Sequence, residues 1–226
     1  MKGILLAGGK GTRLRPLTFV TNKHLLPVYH KPMIEYPLQT LVDLGCNDVL
    51  IVTGGEHIGD FASYLGDGSR YGTRLTYRVQ TEAGGIAQAL GCAEGFMNEY
   101  ETFPVILGDN YFEHRPHVPP HPAIFVKEME DADRFGVYYP LENQIVEKPQ
   151  GVFSGQVVTG CYIYDYKVFR FIKTLRPSER GELEVTDINN WYLGQDMKVY
   201  EYKGEWSDMG TFESLLKVAN QVKERT

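Results

Sequence analysis

Short apolar runs that end at glycine or aspartate recur along the first half of the chain. Residues 3–7, 48–53 and 103–109 form three such runs, and each predicts a buried strand that finishes in a loop. Between them, residues 33–45 and 85–100 place apolar side chains at helical spacing. This alternation predicts an α/β domain with a mainly parallel sheet, in which ligands bind at the carboxyl ends of the strands.

The second half of the chain has a looser pattern. Residues 113–122, "EHRPHVPPHP", predict a loop because they are rich in proline and histidine. Four later segments predict strands of a second layer or a sheet extension: 123–128, 134–140, 157–165 and 197–203. Residues 211–224 predict a closing helix with Thr211 as its N-cap. We therefore expect one domain over 1–226, with a first part over 1–112 and a second over 123–226.

Composition narrows the class of protein. The formal net charge of −6 argues against a nucleic-acid surface, which would need a basic patch, so any bound phosphate should belong to a small molecule. Cys46, Cys92 and Cys161 are widely spaced and suggest neither a disulfide framework nor a zinc site. No apolar run approaches the roughly 18 residues of a membrane-spanning helix. We expect a cytoplasmic protein that binds neither membranes nor nucleic acid.

The first candidate site is the stretch "LAGGKGTRLRPLT", residues 6–18, directly after the first apolar run. A glycine-rich turn after a strand exposes backbone N–H groups that can cradle phosphate, and its arginines add positive charge. The stretch is not a P-loop, and Leu14 stands where a dinucleotide fingerprint needs a third glycine. Taken alone, it is also compatible with a structural turn that carries two solvated arginines.

The continuation of this stretch, residues 8–37, resembles the signature of the sugar-1-phosphate nucleotidylyltransferases. Six further segments resemble the family in the expected order: "QTEAGGIAQA" (80–89), "LGDN" (107–110), "VEKP" (146–149), "VTGCYIYD" (158–165), "RGELEVTDIN" (180–189) and "WSDMGT" (206–211). The resemblance implies a Rossmann-like three-layer α/β/α domain with a mostly parallel mixed central sheet. It also implies Mg²⁺-dependent transfer of a nucleotidyl group from a nucleoside triphosphate to a sugar 1-phosphate, with release of pyrophosphate.

The resemblance assigns expected roles residue by residue. It implies nucleotide binding by Gly8, Gly9, Gly11, Thr12, Arg13, Gln80, Gly85 and Asp109. It implies sugar-phosphate binding by Lys23, Gly136, Glu147, Lys148, Val158 and Arg180. Asp109 and Asp208 match the family's Mg²⁺ ligands, while Arg13, Lys23 and Lys148 match positions where positive charge serves catalysis.

Some positions depart from the family pattern. His24 stands where glutamine is more usual, and Phe135 replaces a tyrosine beside Gly136. His114, His117 and His121 lie in a shortened segment, where an exposed loop is favoured over a zinc site. A single helix follows "WSDMGT", so feedback control through further helices is not expected, and a homodimer or homotetramer is expected by analogy.

Several functions are compatible with the residues. The resemblance favours dTTP and glucose 1-phosphate as substrates, while UTP, another nucleotide or another sugar phosphate stays open. A catalytically silent nucleotide-sugar sensor is an alternative, although it would not need Arg13, Lys23, Asp109 and Asp208 together. A glycosyltransferase would need an Asp-x-Asp motif after an apolar strand, and the single match, residues 131–133, lies in a charged segment.

Overall fold

A mixed sheet of nine strands runs through the molecule, and the computed structural model describes all residues from 1 to 226. Thirteen strands are present: β1 (Lys2–Ala7), β2 (Pro27–Val28), β3 (Lys31–Pro32), β4 (Asp48–Gly54), β5 (Arg74–Gln80), β6 (Phe103–Leu107), β7 (Asn110–Phe112), β8 (Ala123–Glu130), β9 (Gly136–Tyr139), β10 (Gln144–Glu147), β11 (Ser154–Tyr164), β12 (Lys198–Glu201) and β13 (Trp206–Asp208). Six α-helices accompany them: α1 (Glu35–Asp43), α2 (Ile58–Leu65), α3 (Ile86–Gly91), α4 (Lys167–Ile172), α5 (Val185–Leu193) and α6 (Phe212–Arg225).

The strand order explains how the two halves of the chain join. The sheet runs β10-β9-β11-β6-β1-β4-β5, and β8 pairs with β11 and β12. Strands β6, β1, β4 and β5 are parallel, and β11 joins β6 in antiparallel orientation. Since β11 also pairs with β8 and β9, it connects the second half of the chain to the parallel strands. The predicted α/β class with a mixed central sheet is confirmed.

Both faces of the sheet are covered, which explains why its central strands are continuously apolar. On one face, Ile4 and Leu6 of β1 pack with residues of α3, α4 and α5. On the other face, Leu5 and Ala7 pack with residues of α1 and α2. Successive side chains of a strand point to opposite faces, so the run 3–7 contributes to two hydrophobic cores and forms the middle of three layers.

A third, smaller core lies under the 6–18 stretch. Val218 and Val222 of α6 pack in it with six other buried side chains: Leu14, Leu26, Val28, Met33, Tyr111 and Met209. The predicted N-cap of α6 is confirmed, since the Thr211 side chain accepts a hydrogen bond from the Ser214 N–H and Ser214 bonds back to the Thr211 backbone. This core joins the first loop of the chain to the segment that carries Asp208.

One predicted helix is too long. The pattern over 85–100 predicts a single helix, whereas α3 ends at Gly91 and turns follow it. Gly95 takes a φ of 80°, a left-handed conformation that an α-helix does not use. Apolar residues beyond Gly91, such as Ala93 and Met97, still enter the core, so their burial produces helical spacing without a helix.

The 113–122 segment contains no helix or strand, as predicted. The Tyr202 hydroxyl accepts a hydrogen bond from the His114 N–H (3.0 Å) and donates one to the His114 carbonyl (2.7 Å), while His117 and His121 contact the Tyr200 ring. The loop is therefore fixed to β12 and to Tyr202, the residue that follows this strand. No helix of the molecule has the length and apolar character needed to cross a membrane.

Candidate active site

Two clefts meet at the carboxyl ends of the parallel strands. The first, of about 460 Å³, is lined by the loop after β1 together with Gln80 and Gly85. The second, of about 200 Å³, lies between β9, β10, β11 and α5. Ile86, Leu107 and Asp109 line both clefts. Asp109 is thus the polar residue at which the contents of the two clefts would meet.

The glycine loop approaches Lys23 closely. Gly8, Gly9, Gly11 and Thr12 all line the first cleft with Lys23. Gly11 takes a φ of 63°, and a Cβ there would lie 2.7 Å from Cβ of Lys23, so the loop has no room for a side chain at this position. The Thr18 hydroxyl donates a hydrogen bond to the Gly11 carbonyl (2.8 Å) and fixes the turn. The glycine loop and the Lys23 side chain consequently share one wall of the first cleft.

Gln80 and Gly85 form another wall of the first cleft. The Gln80 amide donates hydrogen bonds to the Gly85 carbonyl (3.1 Å) and to Oε1 of Gln88 (2.8 Å). Gly85 takes a φ of 95°, and a Cβ there would lie 2.5 Å from the Leu183 carbonyl oxygen. Position 85 therefore requires glycine on both conformational and steric grounds. Gln88, which holds Gln80, was not singled out from the sequence, although it lies in the 80–89 segment.

Asp109 forms an ion pair with Lys23, and their side chains are only 14% and 13% exposed. Burial by itself would raise the pKa of Asp109, but the Lys23 charge and hydrogen bonds from Lys23 and Asn110 outweigh it and lower that pKa below its usual range. Asp109 is consequently ionised at neutral pH.

Asp208 reaches the same place from the other end of the chain. Strand β13 pairs with β7 so that Asp208 lies opposite Asn110, and the Met209 N–H donates to the Asp109 carbonyl (2.7 Å). Nη2 of Arg134 lies 3.3 Å from both Asp208 oxygens. Burial, and then the Asp109 charge, raise the pKa of Asp208 against the opposing effect of Arg134 and Arg13. The two carboxylates therefore repel each other at the junction, although cations face both of them.

Asn110 holds this region together and was not identified from the sequence. Its Oδ1 accepts hydrogen bonds from the Gly160 N–H (3.0 Å) and the Trp206 indole (2.7 Å). Its Nδ2 donates to Oδ1 of Asp109 (2.9 Å). The amide thus connects β11 and β13 to the carboxylate at the junction of the clefts, and its presence in the "LGDN" segment was the available signal.

Most of the predicted sugar-phosphate residues line the second cleft: Gly136, Glu147, Lys148 and Val158. Gly136 lies opposite Glu147 in the β9–β10 pairing. Oε2 of Glu147 accepts a hydrogen bond from the Thr186 hydroxyl (2.6 Å), and Nζ of Lys148 lies 3.4 Å from Oε1. Lys148 itself takes a φ of 46°, a strained conformation for a lysine.

Three predicted residues occupy unexpected places. Arg13 lines the second cleft, where Nη2 lies 3.6 Å from Oδ2 of Asp208, whereas Lys23 lines the first. Arg180 lines neither cleft. Its Nη2 lies 2.7 Å from Glu184 and 3.4 Å from Glu147, so it supports Glu147 from outside the cleft.

His24 lines the first cleft, and the sequence suggested no role for it. Oδ1 of Asn22 accepts a hydrogen bond from the His24 N–H (3.0 Å) and lies 2.8 Å from the His24 Nδ1. Burial, and then the Lys23 charge, lower the pKa of His24 to about 3. A neutral imidazole that donates from Nδ1 to Asn22 therefore stands beside Lys23.

Comparison with known proteins adds a separate line of evidence. The sequence model of a nucleotidyl transferase family matches residues 2–225. A glucose-1-phosphate thymidylyltransferase from Neisseria meningitidis is 41% identical over 99% of this chain and 83% of its own length. A Bacillus anthracis structure, provisionally designated glucose-1-phosphate thymidylyltransferase, has a TM-score of 0.89 at 44% identity and covers 99% of this chain and 96% of its own.

A structure of UDP-glucose pyrophosphorylase in complex with UDP-glucose is also similar. Its TM-score is 0.82 at 24% identity, with 100% of this chain and 99% of that chain covered. At this identity the likeness concerns the fold alone. It shows that the nine-stranded sheet and the surrounding helices follow a known architecture.

Proposed function

This chain belongs to the nucleotidyl transferase family, and on that premise we propose that it transfers a thymidylyl group from dTTP to glucose 1-phosphate. In this reaction a phosphate oxygen of the sugar 1-phosphate attacks the α-phosphorus of the triphosphate. The bond from that phosphorus to the bridging oxygen breaks, so dTDP-glucose and pyrophosphate are formed. The designation of the relatives at 37–43% identity supports the choice of substrates.

The observation that carries the proposal is the junction of the two clefts at Asp109. The reaction must bring two phosphate groups into contact although they repel each other, so positioning and positive charge account for most of the catalysis. Lys23 stands on the first-cleft side of the junction, while Arg13 and Arg134 stand on the second-cleft side beside Asp208. Cations thus approach the junction from both clefts.

Asp109 and Asp208 have the chemistry of a Mg²⁺ site. The two carboxylates are close enough for the charge of Asp109 to raise the pKa of Asp208, and no third His, Cys, Asp or Glu joins them. Mg²⁺ commonly binds one or two carboxylates and completes its shell with water and substrate phosphates. We propose that these two residues hold Mg²⁺, which when bound would neutralise charge on the phosphates and orient them.

The remaining residues divide between the substrates. In the first cleft, N–H groups of the glycine loop and the Lys23 ammonium would bind the triphosphate. Since the Gln80 Nε2 already donates to Gly85 and Gln88, Oε1 of Gln80 would accept a hydrogen bond from the N3–H of the pyrimidine. Uracil and thymine both present this N–H group, so the preference for dTTP over UTP rests on the relatives.

In the second cleft, Glu147 would accept hydrogen bonds from sugar hydroxyls, with the backbone at Gly136 and Val158 beside it. Lys148 would hold the sugar phosphate. Arg13 would stabilise charge that develops on the α-phosphate as pyrophosphate leaves, because a guanidinium forms two parallel hydrogen bonds with a phosphate. Arg180 lies outside both clefts, so it would have to move to reach the substrate phosphate.

The clefts also support the proposed division of the chain. The first cleft is lined by residues up to Asp109 and by Glu182 alone from the second half. The second cleft is lined largely by residues 134–208. We therefore propose that residues 1–112 form the nucleotide-binding part and residues 123–226 the sugar-phosphate-binding part of one domain. By analogy with the family, we also propose that the protein is cytoplasmic and forms a homodimer or homotetramer.

Pyrophosphate release across a grid of nucleoside triphosphates and hexose 1-phosphates tests the proposal. We expect the highest kcat/KM with dTTP and glucose 1-phosphate, and no release when Mg²⁺ is removed with a chelator. A maximum with UTP or another sugar phosphate would retain the reaction and change its substrates. Folded protein that binds dTDP-glucose without releasing pyrophosphate from any pair would instead indicate the silent sensor.

A further inference from the structure

Asn189 is a buried polar residue at the second cleft to which the proposed function has assigned no role. It lies on α5, one turn after Thr186, and both residues line the second cleft. Only 1% of its surface is exposed. Its Oδ1 accepts a hydrogen bond from the Tyr164 hydroxyl at 2.6 Å. An amide this deeply buried must find partners for its other hydrogen-bonding groups or lose stability.

The Tyr164 contact determines how the amide is oriented. Tyr164 is fully buried, and the Asn189 amide is the partner of its hydroxyl. The hydroxyl proton needs an acceptor, which Oδ1 supplies and Nδ2 cannot. Since Oδ1 is directed towards Tyr164, Nδ2 is directed away from it.

Nδ2 makes no hydrogen bond within the chain and yet is not sealed off. Side-chain polar atoms that are enclosed without a partner belong to Thr73, Thr159 and Gln221 only. Nδ2 of Asn189 is absent from that group although it lacks a partner, so it must be accessible. The second cleft is the cavity that Asn189 lines, and Nδ2 therefore presents its N–H groups there.

We propose that Asn189 is a specificity-determining residue that donates a hydrogen bond from Nδ2 to a hydroxyl oxygen of the hexose. This inference rests on the proposed function, since it takes the sugar phosphate as occupant of the second cleft. The carboxylate of Glu147, also in that cleft, can only accept hydrogen bonds. A donor and an acceptor in one small cleft suit a polyhydroxylated ligand, because a hydroxyl can satisfy either.

The neighbouring residue provides a matched control. Asn190 lies on the same helix, but its Oδ1 accepts from the Ile145 N–H and its Nδ2 donates to the Ile145 carbonyl, both at 2.8 Å. Its amide is therefore fully occupied in attaching α5 to β10. Replacing Asn190 should affect folding stability, whereas replacing Asn189 should affect recognition of the sugar.

The test compares the Kd values of dTDP-glucose and dTDP by titration calorimetry in the wild type, Asn189→Ala, Asn189→Asp and Asn190→Ala. We expect the wild type and Asn190→Ala to bind dTDP-glucose more tightly than dTDP. In both Asn189 variants this preference should fall about 10- to 100-fold, as expected when the bound hexose loses its hydrogen-bond donor in a buried site, while dTDP binding stays within twofold. Equal preference in a folded Asn189 variant and the wild type, or no preference in the wild type, overturns the inference.

Steady-state kinetics with deoxyglucose 1-phosphates identify the oxygen that Asn189 contacts. Removing that oxygen should raise the wild-type KM about as much as Asn189→Ala does, and the two changes together should cost little more than one. Strictly additive losses with every deoxy sugar would contradict a direct contact. Absence of turnover in the wild type would count against the proposed function alone, because the calorimetric comparison does not depend on turnover.

Discussion

At the scale of single residues, the two carboxylates at the junction differ in their electrostatic surroundings. Asp109 has Lys23 as a close partner, which lowers its pKa, whereas burial and the Asp109 charge raise the pKa of Asp208. A raised pKa means that the charged form of Asp208 is less favourable in the folded chain than in the unfolded chain. Ionised Asp208 therefore lowers the stability of the folded chain, as expected when a group serves binding or catalysis.

Asp208→Asn separates these two effects. We expect kcat to fall by about a thousandfold, since several kcal/mol of metal-assisted charge stabilisation would be lost, while Tm is unchanged or higher because a buried charge is removed. Steady-state kinetics at saturating Mg²⁺ and a thermal melt measure both quantities. Glu142→Gln, at an exposed position, is the control and should leave both unchanged. Wild-type turnover in Asp208→Asn would show that this residue does not hold the proposed Mg²⁺.

At the scale of secondary-structure elements, α6 supports the chain on both sides of the site. Val218 and Val222 pack this helix against Leu14 and Met209, so the helix supports both the glycine loop and the residue after Asp208. The helix begins directly after the "WSDMGT" segment, with the Thr211–Ser214 capping box. The cap thus fixes the point at which the chain leaves the site.

Thr211→Ala should weaken α6 without changing the chemistry. Loss of an N-cap costs about 1 kcal/mol, which corresponds to a decrease in Tm of roughly 2–4 °C for a chain of this size. We expect kcat to stay within twofold of the wild type because no substrate-facing group changes. Lys217→Ala, on the exposed face of the same helix, should alter neither value. An unchanged Tm in Thr211→Ala would show that packing alone defines the start of α6.

At the scale of the whole molecule, the buried His24 links folding to pH. Its pKa of about 3 in the folded chain lies below the value near 6.5 of an unfolded histidine. Below pH 6.5 the unfolded chain gains a proton that the folded chain does not take up, so stability is fully present above this pH and is lost as the pH falls towards 3.

His24→Gln should reduce this pH dependence. Between pH 7 and pH 5 the His24 contribution to the free energy of unfolding should fall by about 2 kcal/mol in the wild type and be absent from the variant. Urea unfolding at a series of pH values measures it. In the exposed His30→Gln variant the free energy of unfolding should change with pH as it does in the wild type. The same pH dependence in His24→Gln would show that another group governs the loss of stability at low pH.

The sequence by itself determined those parts of the molecule whose residues depend on near neighbours in the chain. The runs 3–7, 48–53 and 103–109 became strands because both faces of the central sheet are buried, which demands continuous apolar residues. The N-cap at Thr211 is equally local. The glycine loop was also evident, since close approach to Lys23 and a positive φ at Gly11 require glycine.

Only the tertiary structure decided features that depend on distant partners. Helix α3 ends at Gly91, and the residues beyond it are buried by packing in a non-helical conformation. The half-exposed edge strand β5 replaces the continuous apolar run of the central strands with the weaker alternation of Leu75, Tyr77 and Val79. The β13–β7 pairing brings Asp208 to Asp109, and Tyr164 directs Nδ2 of Asn189 into the second cleft. Hydrophobic periodicity shows which residues are buried, but a hydrogen bond depends on a partner whose position the fold alone determines.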